Sequence, residues 1–207
     1  MIPEDPLVVP RRCVALVLGW EDVGIRATVG GALALGYHVH EPRATRDIDL
    51  NVALDKSAAL PALRTLPEGP QWDEEDLAAI ERDGQVRLWW PVPGQQRMPL
   101  DLFFAEHQFH RVATDRALWV PMLDAEVPIL SATDLTVFKA LFDRPKDWVD
   151  IGEMVSYGPP SLDLENAAHW VSAIVGDSDV RVARLRDLAE HPPEPPAQFT
   201  WRDLPSQ

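Results

Sequence analysis

A single cysteine, Cys13, leaves the 207-residue chain without a partner for an internal disulfide. It stands among Val14, Leu16 and Val17, where a thiol serves as a small buried hydrophobe. No Cys-x-x-Cys occurs and the six histidines are scattered, so zinc is not expected and oxygen ligands for a hard cation remain as the metal chemistry. Long apolar runs are lacking too: stretches such as Val14 to Leu18 fall far short of a bilayer span. Met1-Ile2-Pro3-Glu4-Asp5 has acidic rather than basic residues ahead of the first apolar segment, which predicts no secretory leader and a cytoplasmic location. Cations are scarce: 19 Lys and Arg against 33 Asp and Glu give a formal charge of -14. Such a surface repels phosphates and argues against broad nonspecific affinity for nucleic acid, while leaving room for a local basic groove.

What is present describes a globular chain, 46% hydrophobic and 25% charged, large enough for one ample core with a smaller attached module. Apolar spacing predicts a helix from about Pro10 to Glu21 closed by Gly24, a short strand over Arg26 to Val29, and a helix from Gly30-Gly31 to Gly36. A strand over Arg46 to Ala53 follows, then a helix capped by Asp55 or Ser57, and a helix start at Asp73-Glu74-Glu75-Asp76. Val86 to Trp90 and Met98 to Ala105 read as paired strands. Beyond His107, short strands at Leu118 to Met122 and Val127 to Leu130 precede a mainly helical remainder, with Ser131-x-x-Asp134 as one helix start and Pro145 in the first turn of the next. The expected division is 1–106, a mixed α/β core; 107–190, a mainly helical module; and 191–207, a Pro-rich tail whose Phe199 and Trp201 dock back.

The strongest chemical signal is Asp47-Ile48-Asp49. On a strand, period-two geometry puts both carboxylates on one face, about 7 Å apart, while Ile48, Leu50 and Val52 enter the core. Packing does not select an acidic face of this kind; a divalent cation does. Asp101, between Leu100 and Leu102, repeats the arrangement and would complete a trio able to hold two ions about 4 Å apart. Gly30-Gly31 supplies a backbone free of side chains at a helix start, where N–H groups and the positive end of the dipole can meet phosphate oxygens.

In this order, Gly30-Gly31, Asp47-x-Asp49 and Asp101 resemble the signature of the polymerase-beta-type nucleotidyltransferase superfamily. The Gly-Gly-Ala form, Arg43-x-Thr45-x-Asp47-x-Asp49, and the later Asp134-Leu135, Lys139, Arg144-Pro145-Lys146-Asp147 and Asp150-Ile151 are similar to the AbiEii and MenT nucleotidyltransferase toxins, over roughly residues 10 to 157. The resemblance implies that Asp47, Asp49 and Asp101 bind Mg2+ or Mn2+, that Lys139 contacts the triphosphate, and that Asp150 is the later catalytic acid. It further implies a nucleoside triphosphate such as ATP as donor, the 3′ end of tRNA as acceptor with translation blocked, and a cognate antitoxin. Two rivals stand beside it: the same chemistry on a small molecule or protein, and a noncatalytic, antitoxin-like binding module.

Lys139 borders a buried stripe, so it either meets an anion or snorkels to solvent. Asp147 is either part of the site or a helix cap. Arg43 and Arg46 either reach the triphosphate or the acceptor, or are counter-charges to Glu41 and Asp47. Arg181, Arg184 and Arg186 read as a solvated helix face, His38 and His40 as surface residues, and His110 as a hydrogen-bonding residue near the cleft. Trp89, Trp90, Trp148 and Trp170 are expected in the core, with stacking of one of them on a base as the alternative.

Overall fold

A computed structural model describes residues 5–94 and 96–193. Phe199 and Trp201, and with them the expected docking of the tail, lie outside the described residues. Helix α1, Val8–Asp22, buries Val9, Cys13, Leu16, Val17 and Trp20 at helical spacing and ends before Gly24, whose φ of 77° favours a residue without Cβ. Strand β1, Ala27–Val29, leads through Gly30 into the short α2, Gly31–Leu35. Strand β2, Ile48–Asp55, returns antiparallel to β1, with Ala27 opposite Val52 and Val29 opposite Leu50. Asp55 caps a 3-10 turn, Lys56–Ala58, that runs into α3, Ala59–Leu63.

Helix α4, Glu74–Asp83, begins on a capping box: Asp73 accepts from the Glu75 and Asp76 N–H groups, and Asp76 accepts from the Asp73 N–H. Strands β3, Gln85–Trp90, and β4, Met98–Ala105, pair antiparallel as their alternation predicted. Then come α5, Gln108–Asp115, and the hairpin of β5, Leu118–Met122, with β6, Ala125–Ile129. Helices α6 (Ala132–Phe142), α7 (Pro145–Tyr157), α8 (Leu164–Val175) and α9 (Val180–Glu190) complete the described chain.

The strands form one mixed sheet in the order β3-β4-β2-β1-β6-β5, with β2 parallel to β4 and β1 parallel to β6. The β5–β6 hairpin, assigned from the sequence to the C-terminal module, hydrogen-bonds into this sheet through Val29 and Ile129, so the helical part begins at α6. Ile48, Leu50 and Val52 are fully buried, each contributing about 1.5–3 kcal/mol of transfer free energy. A one-residue slip of β2 would exchange them for Asp49 and Asn51, so burial on this face fixes where the acids point.

Three expectations change. His38 is buried rather than exposed, its Nε2 lying 2.8 Å from the Leu130 carbonyl, because residues 37–47 form turns and bends that tuck the ring beneath the β6–α6 junction. Trp90 and Trp148 are buried and Trp170 packs on Phe109, but Trp89 faces outward and is 42% exposed, since strict alternation in β3 allows only one of two adjacent tryptophans inside. The late arginines are not one solvated face: Arg181 pairs with Asp179 and donates to the Leu141 carbonyl, Arg184 lies over Trp148, and Arg186 pairs with Asp177.

Candidate active site

Strand register assembles the site. Asp49 on β2 stands beside Asp101 on β4, and Asp101 beside Arg87 on β3, so the three side chains form a row across adjacent strands on one face of the sheet. The Gly30 N–H donates to the Asp49 carbonyl at 2.8 Å, which locks the start of α2 against β2. Gly31 has φ 53°, and a Cβ there would come within 1.8 Å of Asp49 Oδ2. A side chain here is disfavoured by backbone conformation and excluded by the space Asp49 occupies. Helix α2 has only five residues, too few for the dipole expected from the sequence; the glycine pair acts as a bare shelf under the Asp49 carboxylate.

Burial, the charge of Asp101 and that of Asp47 push the Asp49 carboxyl up to about 6, while Lys139 and Arg144 pull it down through space. Asp47 lies just before β2 rather than on it, with its N–H donating to Thr45 Oγ1 at 3.2 Å. Asp101 is held by Arg87 through a fork of two hydrogen bonds, Nε to Oδ1 at 2.7 Å and Nη2 to Oδ2 at 2.6 Å. The same Nη2 lies 4.0 Å from Asp47 Oδ2. The hydrogen bond to Asp101, against the opposing effect of burial, raises the Arg87 guanidinium above its ordinary value.

Arg87 was missed in the sequence, although the in-out alternation of Gln85, Val86, Arg87, Leu88 and Trp89 places it on the acidic face once β3 is paired with β4. It changes the expected trio. Asp47 and Asp49 carry hard oxygen donors of the type a divalent cation takes, but the third expected donor, Asp101, is bonded by the Arg87 guanidinium. Accordingly, no group of three His, Cys, Asp or Glu side chains among the described residues is arranged to hold a metal ion.

Helices α6 and α7 supply the facing wall. Ser131 caps α6 as its S-x-x-D pattern predicted, accepting from the Asp134 N–H. Lys139, one turn from the end of α6, is buried with its Nζ 2.5 Å from Asp150 Oδ2 and 3.8 Å from Asp147 Oδ1, so it meets anions and does not snorkel. Burial acts to raise the Asp150 carboxyl, but its bonds to Lys139 and Arg43 outweigh that and hold it below the ordinary carboxylate range. Arg43 reaches Asp150, not Glu41 or Asp47, at 3.2 Å. Asp147 is both cap and site residue: it accepts from the Arg144 N–H and Nε and faces Lys139. Arg144, half-exposed and stacked over Phe142, presents an accessible cation on this wall. Arg46 is exposed beside Asp47.

Between the walls lies a cleft of about 460 Å³ lined by Asp49, Arg87, Asp101, Phe103, Phe142 and Arg144. A recess of about 40 Å³ runs below it among Gly31, Asp49, Asn51, Lys139 and Asp147. Asn51, also missed in the sequence, is buried there with its Oδ1 unpartnered among the described residues. The His110 ring packs edge-on to Phe138, which lines the recess with Asp49, and burial lowers its pKa. Among the described residues no helix is long and apolar enough to cross a membrane.

The chain resembles solved structures of nucleotidyltransferase folds at low identity. An antigenic nucleotidyltransferase-like protein from Paracoccidioides brasiliensis superposes with a TM-score of 0.50 at 16% identity, over 84% of this chain and 91% of that one. A structure from H. pylori described as a putative nucleotidyltransferase gives a TM-score of 0.48 at 15% identity, over 91% and 90% of the two chains. No curated protein matches the chain. The sequence model of the family described as nucleotidyl transferase AbiEii toxin, type IV toxin-antitoxin system, matches residues 18–202. That span takes in the glycine shelf, the acidic row and the Lys139–Asp150 pair, and the chain belongs to the AbiEii nucleotidyltransferase family.

Proposed function

We propose that the protein transfers a nucleoside monophosphate from a nucleoside triphosphate to an acceptor hydroxyl, most simply at the 3′ end of tRNA, and so acts as a translation-blocking toxin restrained by an antitoxin. The observation that carries this reading is the placement of Asp49 against Gly31 and beside Asp101, facing Arg144 and the Lys139–Asp150 pair. A row of acids meeting a cationic wall separates the two needs of phosphoryl chemistry, cation binding and phosphate binding.

Asp47 and Asp49 would hold Mg2+ or Mn2+, with Asp101 joining once Arg87 moves away. When bound, the ion supplies charge neutralisation and activation of the attacking hydroxyl. Gly30 and Gly31 leave room for phosphate oxygens beside Asp49, and Arg144 offers them its guanidinium from the opposite wall. Lys139 orients α6 against α7 through Asp150 and puts its ammonium at the floor of the recess. Arg46, exposed next to Asp47 in sequence, would meet the donor or the acceptor. The acceptor oxygen attacks the α-phosphate in line; the α–β bridge breaks, pyrophosphate leaves with the bonding pair, and the hydroxyl proton passes to solvent.

The overall charge of -14 favours a second reading in which the acceptor is a small molecule or a protein. Incubation with α-labelled triphosphates, Mg2+ and total tRNA separates the two. Label in RNA, lost in Asp49→Ala, supports the tRNA acceptor; label absent from RNA contradicts it. Growth arrest on induction, relieved by Asp49→Ala, supports enzymatic toxicity, and arrest that persists with Asp49→Ala favours a noncatalytic binding module.

A further inference from the structure

The outward face of β3 continues away from the acids as Gln85, Arg87 and Trp89. Beside Trp89 opens a groove of about 700 Å³ lined by Trp72, Asp73, Asp76, Arg87, Trp89 and Arg97, large enough for a nucleotide-sized ligand. It shares Asp76 and Arg87 with the 460 Å³ cleft, so the two are parts of one surface running from Asp49 past Arg87 to Trp89. Trp89 is 42% exposed although it stands in a strand beside buried Leu88 and Trp90, and Arg97 lies over its ring at 5.4 Å. An outward indole with a guanidinium across its face is a platform for a planar base, with the guanidinium able to stack on the base or meet its phosphate.

From this geometry we propose that the Trp89–Arg97 groove is the acceptor subsite, binding the single-stranded end of an RNA by stacking a base on Trp89 and delivering the terminal hydroxyl past Arg87 to the acids. This rests on the reading that the acceptor is RNA. Charge sets how the RNA is held. Asp73 and Asp76 line the groove, and their carboxylates are engaged in the capping box of α4, leaving Arg97 as the cation for phosphate beyond Arg87, which holds Asp101. Binding is therefore carried by stacking, with about one phosphate neutralised, and its dependence on salt is shallow.

The test is fluorescence anisotropy of a labelled single-stranded RNA hexamer with a free 3′ hydroxyl, alongside transfer kinetics with total tRNA. Trp89→Ala is expected to weaken hexamer binding and raise the acceptor KM about tenfold, with Trp89→Phe restoring most of both. The slope of log K against log salt is expected near -0.7, the value for one contact on a single strand, and near zero in Arg97→Ala. Equal hexamer affinity in wild type and Trp89→Ala, or no affinity in wild type, overturns the subsite even if tRNA becomes labelled. Hexamer binding that depends on an aromatic residue at this position, with no tRNA labelled, keeps the subsite and removes the tRNA reading. A slope of -3 or steeper indicates a backbone-tracking surface elsewhere and overturns the proposal.

Discussion

Replacing Asp49 by asparagine should make the protein more stable while destroying its transfer activity. Burial and the neighbouring Asp101 and Asp47 lift this carboxyl to about 6 in the folded state, against 3.8 in the unfolded chain. A folded value above the unfolded one means that the native state binds the proton more tightly. Stability therefore falls as pH rises from about 4 to about 6 and stays reduced above that window. The full difference corresponds to roughly 3 kcal/mol, and partial exposure of Asp49 discounts this to about 1–2 kcal/mol. Asparagine keeps the shape that lies against Gly31 and carries no charge. At pH 7.5 without divalent ions, Asp49→Asn should melt about 2–8 °C above wild type, and the two should converge near pH 4. Mg2+ or Mn2+ should narrow the gap at pH 7.5 by stabilising wild type alone. Thermal unfolding followed by circular dichroism at pH 4, 6 and 7.5 reads all three effects. A variant no more stable than wild type at pH 7.5, or a gap independent of pH, would refute the burial and mutual repulsion assigned to Asp49.

Gly31→Ala should lose transfer activity and about 2 kcal/mol of stability, because the added methyl meets Asp49 Oδ2 and φ is positive; activity and urea unfolding measure both. Lys139→Met leaves Asp150 in a buried site with Arg43 as its one remaining ion-pair partner among the described residues and should cost about 3–5 kcal/mol, whereas joint replacement with Asp150→Leu should recover much of that, as urea midpoints would show. Arg87→Gln frees Asp101 and should tighten Mn2+ binding severalfold in calorimetric titration; unchanged affinity would mean that Asp101 does not contribute to the cation site.

The residues of the candidate site were legible where local patterns determine their placement. Alternation around Asp49 and Asp101 fixed their common face, Gly30-Gly31 marked the turn, and Ser131 and Pro145 located the starts of the two helices that carry Lys139 and Asp150. What escaped depends on contacts between segments distant in sequence. Arg87 becomes the partner of Asp101 only through the β3–β4 register, and Arg43 finds Asp150 across 107 positions of chain. The placement of β5 and β6 beside β1 needed the parallel pairing of Val29 with Ile129, which no local signal encodes. His38 misled because alternation with His40 suggested a strand where the backbone turns.

Pyrophosphate release from a nucleoside triphosphate, with Mg2+ and total tRNA, tests most directly whether the acids of β2 and β4 perform nucleotidyl transfer. Wild type should release pyrophosphate in step with label appearing in RNA, chelation should stop both, and Asp49→Ala should slow both at least about a hundredfold. Release at an undiminished rate in Asp49→Ala would contradict the central role of that carboxylate.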